Sequence, residues 1–316
     1  MRCSVGLLVA GCAIACAVTA QDYPNRAIRV LVPYAPGGTD HQMRVLAPTF
    51  SKLLGQPIVV ENREGGGATI GAIAVKTAVP DGYTLLYTGS GALTVAPHMR
   101  KGVPYTHEDF TPIGNVTGTS FILTARPDLP YKTVGELIAY ARANPGKVNY
   151  GSAGIGTTTH TTAAALDSAA KAPMTHVPFQ GIGPAVRGLL GGQVDIAIGL
   201  GSAIMPQVNA GKLLGLASTG TQRTEFLPNA PTLREAGFDV VEVTKFGLFG
   251  PRGMPDAVVQ RLVSVLAEAV KAPEFIDLAR KTFNSVLYLP PAELRAVVDS
   301  ESRYFRKLVA DLKLAE

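Results

Sequence analysis

The chain has 316 residues, 47% hydrophobic and 17% charged, with a formal net charge of +5. That length supports two domains, each with its own core, and the composition excludes a disordered chain. Its 29 basic residues form no Lys/Arg block and tryptophan is absent, so a nucleic-acid footprint is missing, while a weak positive field favours small anions.

The first twenty residues read as an export signal. Arg2 supplies the positive start, Val5 to Val18 the apolar stretch, and Val18-Thr19-Ala20 the small residues before a cut ahead of Gln21. A competing reading takes "VAGC" as a lipoprotein box with Cys12 lipidated. All three cysteines (Cys3, Cys12, Cys16) lie in this segment, so a chain cut after Ala20 has no disulfide and no thiolate metal site. The chain is expected to be exported.

Beyond the signal, β-branched runs alternate with helical patterns, which predicts βα units and largely parallel sheets. "AIRVLVPY" is a strand, "APGGTD" a loop, and Asp40 to Leu54 a helix with Met43, Leu46, Ala47, Phe50, Leu53 and Leu54 on one face. Pro48 predicts a kink in it. "PIVVEN" and "YTLLYTG" are strands flanking the glycine loop "REGGGATIGA" and a short helix. "FTPIGNV" and "FILTAR" read as two further strands. In "TVGELIAYARAN", Thr133 and Glu136 are spaced as a helix capping box.

A second block opens with the strand "KVNYGSAG", the loop "GIGTTTH" and the helix "TTTHTTAAALDSAAK". "MTHVPF", "VDIAIG" and "LLGLAST" are strands, with the helix "GPAVRGLLGG" among them. "VVEVTKFGLFGP" is extended, and two amphipathic helices close the chain. The simplest architecture is an α/β protein of two lobes, the second inserted in the first, with two chain crossings and a cleft between them. Residues 21–124 and 223–316 form the first lobe in this reading, and 125–222 the second.

Strand, glycine loop and helix together make an anion-binding device. The leading amides of a helix have no internal acceptor, and the helix dipole adds partial positive charge there. Gly154 and Gly156 shape the turn, and Thr157 or Thr158 can cap and offer hydroxyls. "PGGTDHQM" is the looser counterpart, with Thr39 and Gln42 spaced as a capping box. A plain βα turn favours the same residues, so either loop alone leaves both readings open. Neither loop contains Lys or Arg before Arg44, and neither matches a phosphate loop; a carboxylate fits better than a polyphosphate. Asp40 would repel an anion, so helix-start capping suits it better, with Arg44 one turn on as its partner.

Signals for catalysis are weak. "TGSGA" around Ser90 lacks the first glycine of a nucleophile elbow. The five histidines show no metal-ligand spacing. His160, in the first turn of its helix, reads as a neutral packing or capping residue. "REGGGATIG" lacks dinucleotide spacing. Tyr34, Phe179 and Phe246 lie at strand ends, where pocket lining and core packing are both open. No cofactor and no metal is expected.

The stretch from "YPNRAIRVLVPYAPGGTD" through "ENREGGGATIGA" to "PDGYTLL" resembles the opening of the tripartite tricarboxylate transporter receptors, the Bug or TctC-like solute-binding proteins. "DFTPIGNV", "NYGSAGIGTTTH", "LLGGQVD", "LPNAPTLREAGF" and "FGLFGPRGMP" continue the match in family order. The resemblance implies a periplasmic binding protein of type II-like fold, not an enzyme and monomeric, that closes on a small mono- or dicarboxylate and delivers it to a membrane permease. It implies one carboxylate near the first strand–helix loop, partly through waters, and another at the helix start of the second lobe. Carried over, the ligand residues are Tyr34, Pro36, Gly37, Gly38, Thr39 and Asp40, then Ser152, Ala153, Gly156, Thr157 and Thr158, with Ser90 and Gln180 on neighbouring loops. The family usually reads PGGGTD or PGGSTD, one residue longer than this chain, which bears on water bridging and ligand size. "HQM" after Asp40 also departs, putting His41 or Gln42 in reach of a ligand. The runner-up reading is a sensory binding protein presenting a carboxylate to a membrane signalling partner; an exported hydrolase ranks third.

Overall fold

A computed structural model describes residues 23–36 and 38–315. The expected signal, its cleavage point, the three cysteines and Gly37 lie outside the described residues.

The first lobe begins with β1 (Ile28–Val32), α1 (Gly38–Leu54) and β2 (Ile58–Asn62). Then come α2 (Thr69–Lys76), β3 (Thr84–Gly89), α3 (Gly91–Thr94) and α4 (Ala96–Met99). The apolar face read from the sequence is the face that packs: Met43, Leu46, Ala47, Phe50 and Leu54 of α1 are buried against Ile28, Val30 and Leu85. Pro48 does not break α1, which continues from Gly38 to Leu54. It lies on the exposed side, where the carbonyl deprived of its helical donor can reach water.

One prediction fails in an informative way. "FTPIGNV" and "FILTAR" are not two strands but one, β4 (Phe110–Ala125). The intervening Thr117-Gly118-Thr119-Ser120 looks like a turn, yet each of these residues pairs with β9 (Val243–Pro251). Tertiary pairing overrides weak local strand preference.

The second lobe carries α5 (Val134–Ala143), β5 (Asn149–Ser152), α6 (Thr158–Ala170) and β6 (Thr175–Pro178). It continues with α7 (Ile182–Leu190), β7 (Ile196–Leu200), α8 (Gly201–Asn209) and β8 (Leu214–Ser218). The capping box of α5 forms: the Glu136 amide donates to Thr133 Oγ1 at 3.2 Å, and the Thr133 amide donates back to Glu136 Oε2 at 3.3 Å. After β9 come α9 (Asp256–Ala269), α10 (Pro273–Lys281), β10 (Ser285–Leu289) and α11 (Pro291–Asp311).

β4 joins the two halves. In the first lobe the order is β2-β1-β3-β9-β4, with β10 on the far side of β4. In the second it is β6-β5-β7-β4-β8. Each lobe thus receives, beside its third parallel strand, an antiparallel strand that arrives from the other lobe. β9 pairs with β4 through Ser120, and β7 takes over from Phe121. On the return, Leu233, Phe238 and Val240 still pack in the second core, and Val243 opens β9. Pairing and packing therefore divide the chain at 120/121 and 242/243, in place of the expected 124/125 and 222/223. An unbroken strand gives no sequence signal where its partners change.

α11 returns across both lobes. Phe305 and Val309 pack on Val95 and Met99 of the first lobe, while Leu308 also reaches the second core.

Candidate functional site

Parallel strands present their following loops at their C-terminal ends, where α/β folds bind ligands. Here β1 and β3 of the first lobe and β5 and β6 of the second supply those loops. The loop after β5 is the most completely organised. Ser152 is fully buried; its hydroxyl accepts from the Gly154 amide at 3.1 Å and lies 2.7 Å from His176 Nε2. The Ala153 amide donates to Thr159 Oγ1 at 2.9 Å. Thr157 occupies the N-cap, its hydroxyl donating to the Gly154 carbonyl at 2.6 Å. Gly154 and Gly156 have φ of 119° and 81°, so glycine is required for this backbone.

Two groups in this loop stay unspent. The His160 and Thr161 amides bond back to the Thr157 carbonyl, the first acceptor of α6. Among the described residues, the amides of Thr158 and Thr159 have no acceptor, as the first turn of a helix dictates. Such leading amides, assisted by the helix dipole, are groups to which an anion can bond.

Behind the loop stand three rings. His160 stacks on His176 with centroids 3.9 Å apart, and His176 stacks on Tyr150 at 4.9 Å. Burial pushes His160 down to about 4, and burial with its neighbour's charge pushes His176 to about 4 as well. Both are therefore neutral at neutral pH, which bears out the packing role read for His160. The unfolded chain takes these protons near the ordinary value of 6.5. The stability that the neutral rings contribute is complete above that value and is lost as pH drops toward 4. Thermal melts from about pH 7 to about pH 4.5 should show this loss, and His160→Phe should reduce it.

The first loop is tied differently. Arg44 Nε pairs with Asp40 Oδ2 at 3.0 Å, and its Nη2 donates to Asn62 Oδ1 at 3.0 Å. Asn62 in turn donates to the Tyr34 carbonyl at 2.9 Å, and the Tyr34 hydroxyl meets Thr88 Oγ1 at 3.0 Å. Asp40 is thus held at the helix start by Arg44, as expected. The expected Thr39–Gln42 capping box does not form. α1 already begins at Gly38, and Gln42 is buried, its Oε1 accepting from Tyr87 and Thr117 hydroxyls at 2.7 and 2.9 Å. His41 is exposed on the other side of the helix. Phe179 packs over Gly151 and Gly188, and Phe246 is buried in the core, so both take the packing alternative.

Ser90 opens α3 and is 2% exposed; its amide donates to the Lys245 carbonyl at 2.8 Å. The lobes meet beside it, since Gly91 lies directly against Thr158 Oγ1. The structure therefore brings Ser90 and Thr158 together from opposite lobes. Gln180 is exposed on the β6–α7 loop, while Pro36 and Gly38 flank the undescribed Gly37. Sequence reasoning missed Gly67 and Arg100, which also touch the β5–α6 loop: Arg100 packs on Gly156, and the Ile155 carbonyl lies against Gly67. No local pattern marks such contacts. A separate cavity of about 360 Å³ sits at the hinge, lined by Thr119, Ser120, Gly201, Met205, Phe226 and Phe283 among others. None of the residues predicted for the ligand lines it.

Two α/β lobes joined by crossing strands, with loops from both meeting at their junction, define a solute-binding protein of the periplasmic binding type. Residues 42–314 match the tripartite tricarboxylate transporter family receptors, and the chain belongs to that family. It is a solute-binding receptor, not an enzyme. BugT of Bordetella pertussis is 32% identical over 311 residues, covering 97% of this chain and 95% of BugT. An R. palustris protein solved with adipate has a TM-score of 0.86 at 28% identity, covering 93% of this chain and 99% of its own. MatC from Rhodopseudomonas palustris, solved with bound malate, has a TM-score of 0.84 at 31% identity, covering 91% of this chain and 100% of its own.

Proposed function

We propose that this protein captures a small organic mono- or dicarboxylate between its lobes in the periplasm and delivers it to a tripartite tricarboxylate-type membrane transporter. The observation that carries the reading is the pair of acceptor-free amides at Thr158 and Thr159, set beside Ser90 of the opposite lobe. Helix-start amides and hydroxyls, with the Arg100 stem packed alongside on Gly156, suit a carboxylate, whose charge-assisted bonds are about twice as strong as neutral ones. Tyr34, Pro36, Thr39, Asp40 and Gln180 line the remaining approach in this reading. Relatives solved with adipate and malate support the ligand class.

Thr158→Ala deletes one hydroxyl and leaves the backbone seat, so it should weaken binding by about 0.5–1.5 kcal/mol in isothermal titration. The function itself is tested by a thermal-shift panel of carboxylates that includes malate and adipate. A true ligand at about 100 times its Kd adds roughly 2.7 kcal/mol of stability. If no carboxylate stabilises the protein while another solute class does, the reading is wrong.

A further inference from the structure

Three elements of the first lobe converge on residues 155–158 of the second. Gly67, φ 64°, meets the Ile155 carbonyl; Arg100 lays its aliphatic stem on Gly156; Gly91 faces Thr158. The first two glycines have left-handed backbones that favour glycine whatever their surroundings. Gly91 differs. It is the first residue of α3, and its φ is not positive, so its own backbone accepts any L-residue. Val95, the nearest atom in its own lobe, would stand 3.7 Å from a Cβ there, an ordinary contact. The one obstacle is Thr158 from across the cleft: an added Cβ would overlap Thr158 Oγ1 and stand 3.4 Å from Thr158 Cβ.

We propose that Gly91 is a positioning residue for ligand capture. Its missing side chain lets the lobes close until Ser90 and the leading amides of α6 address the same carboxylate. This rests on the carboxylate reading above and adds how far the lobes must close to complete the seat. Ligand-driven closure joins groups that no single lobe can supply. A methyl group at position 91 is a wedge in the closed form alone. In the open form it only replaces glycine by alanine at the start of a helix, which does not disfavour the fold.

The chain beyond the expected signal has no cysteine, so spin labels at Lys52→Cys and Lys147→Cys report the lobe separation cleanly. With malate and adipate as probes, Gly91→Ala should lower affinity at least about ten-fold, equivalent to about 1.4 kcal/mol. Its melting temperature should be unchanged or raised, and its label distances should shift to the open form. In a Thr158→Ala background the obstructing oxygen is gone, so Gly91→Ala should cost less than about three-fold. Equal affinity and label distances for Gly91→Ala and wild type overturn the proposal, as does the same loss in both backgrounds. If no variant, wild type included, binds either probe, the carboxylate reading fails instead. The wedge proposal, which rests on that reading, then falls with it.

Discussion

Gly156→Val is expected to lose carboxylate binding by at least about ten-fold, roughly 1.4 kcal/mol or more. Gly156 has φ of 81°, a region that β-branched residues avoid at a cost of about 1–3 kcal/mol. Its Cβ would also press on Arg100 Cδ and Cγ at 3.1 and 3.2 Å, disturbing the packing of the first lobe on this loop. The backbone would relax by turning the neighbouring amides, and the seat at Thr158 and Thr159 would lose its aim. Titration of the variant, with circular dichroism to establish folding, measures the effect. A folded Gly156→Val protein that binds normally would place the ligand elsewhere.

The second large effect concerns stability and pH. Glu242 sits at the second crossing between the lobes, where the Thr244 hydroxyl donates to its Oε1 at 3.0 Å. Lys245 pairs with Glu301 of α11 at 2.7 Å, and Glu301 Oε2 is buried without a partner among the described residues. Two carboxyl groups thus share one ammonium. Burial first, then the charge of Glu301, push Glu242 up to about 8 against the pull of Lys245 and Thr244. Tyr304, also facing this cluster, is raised as well and stays protonated. The unfolded chain releases the Glu242 proton near the ordinary 4.5, while the folded protein holds it to about 8. The stability contributed by the neutral form is therefore complete below 4.5 and lost as pH rises through 8. Melting temperature should fall from about pH 6 to about pH 9, and Glu242→Gln should flatten that fall. An identical slope in the variant would show that Glu242 is already ionised at the lower pH.

Periodic features were the legible ones. The buried face of α1, the Thr133–Glu136 capping box and the strand–glycine loop–helix at Gly151 to His160 each encode a local rule, and the folded chain obeys it. What was not legible depends on partners distant in sequence. Thr117 to Ser120 look like a turn until β9 is laid beside them. Gln42 fits a capping box by spacing, yet Tyr87 and Thr117 take its side chain. α8 and α10 were missed too; both are short, and α8 contains Pro206, a poor helix former. Ser152 and His176 lie 24 residues apart, so their bond had no local signature. Gly91 is the sharpest case: glycine beside a serine reads as loop composition, and only the fold shows that Thr158 of the other lobe lies against it.

If the leading amides of α6 hold a carboxylate with help from the opposite lobe, a crystal structure with the most strongly stabilising carboxylate from the panel will show it there. A carboxylate group should lie within hydrogen-bond distance of the Thr158 and Thr159 amides and near the Ser90 hydroxyl. A ligand bound instead in the hinge cavity beside Phe226 and Phe283, with those amides facing only water, would contradict it.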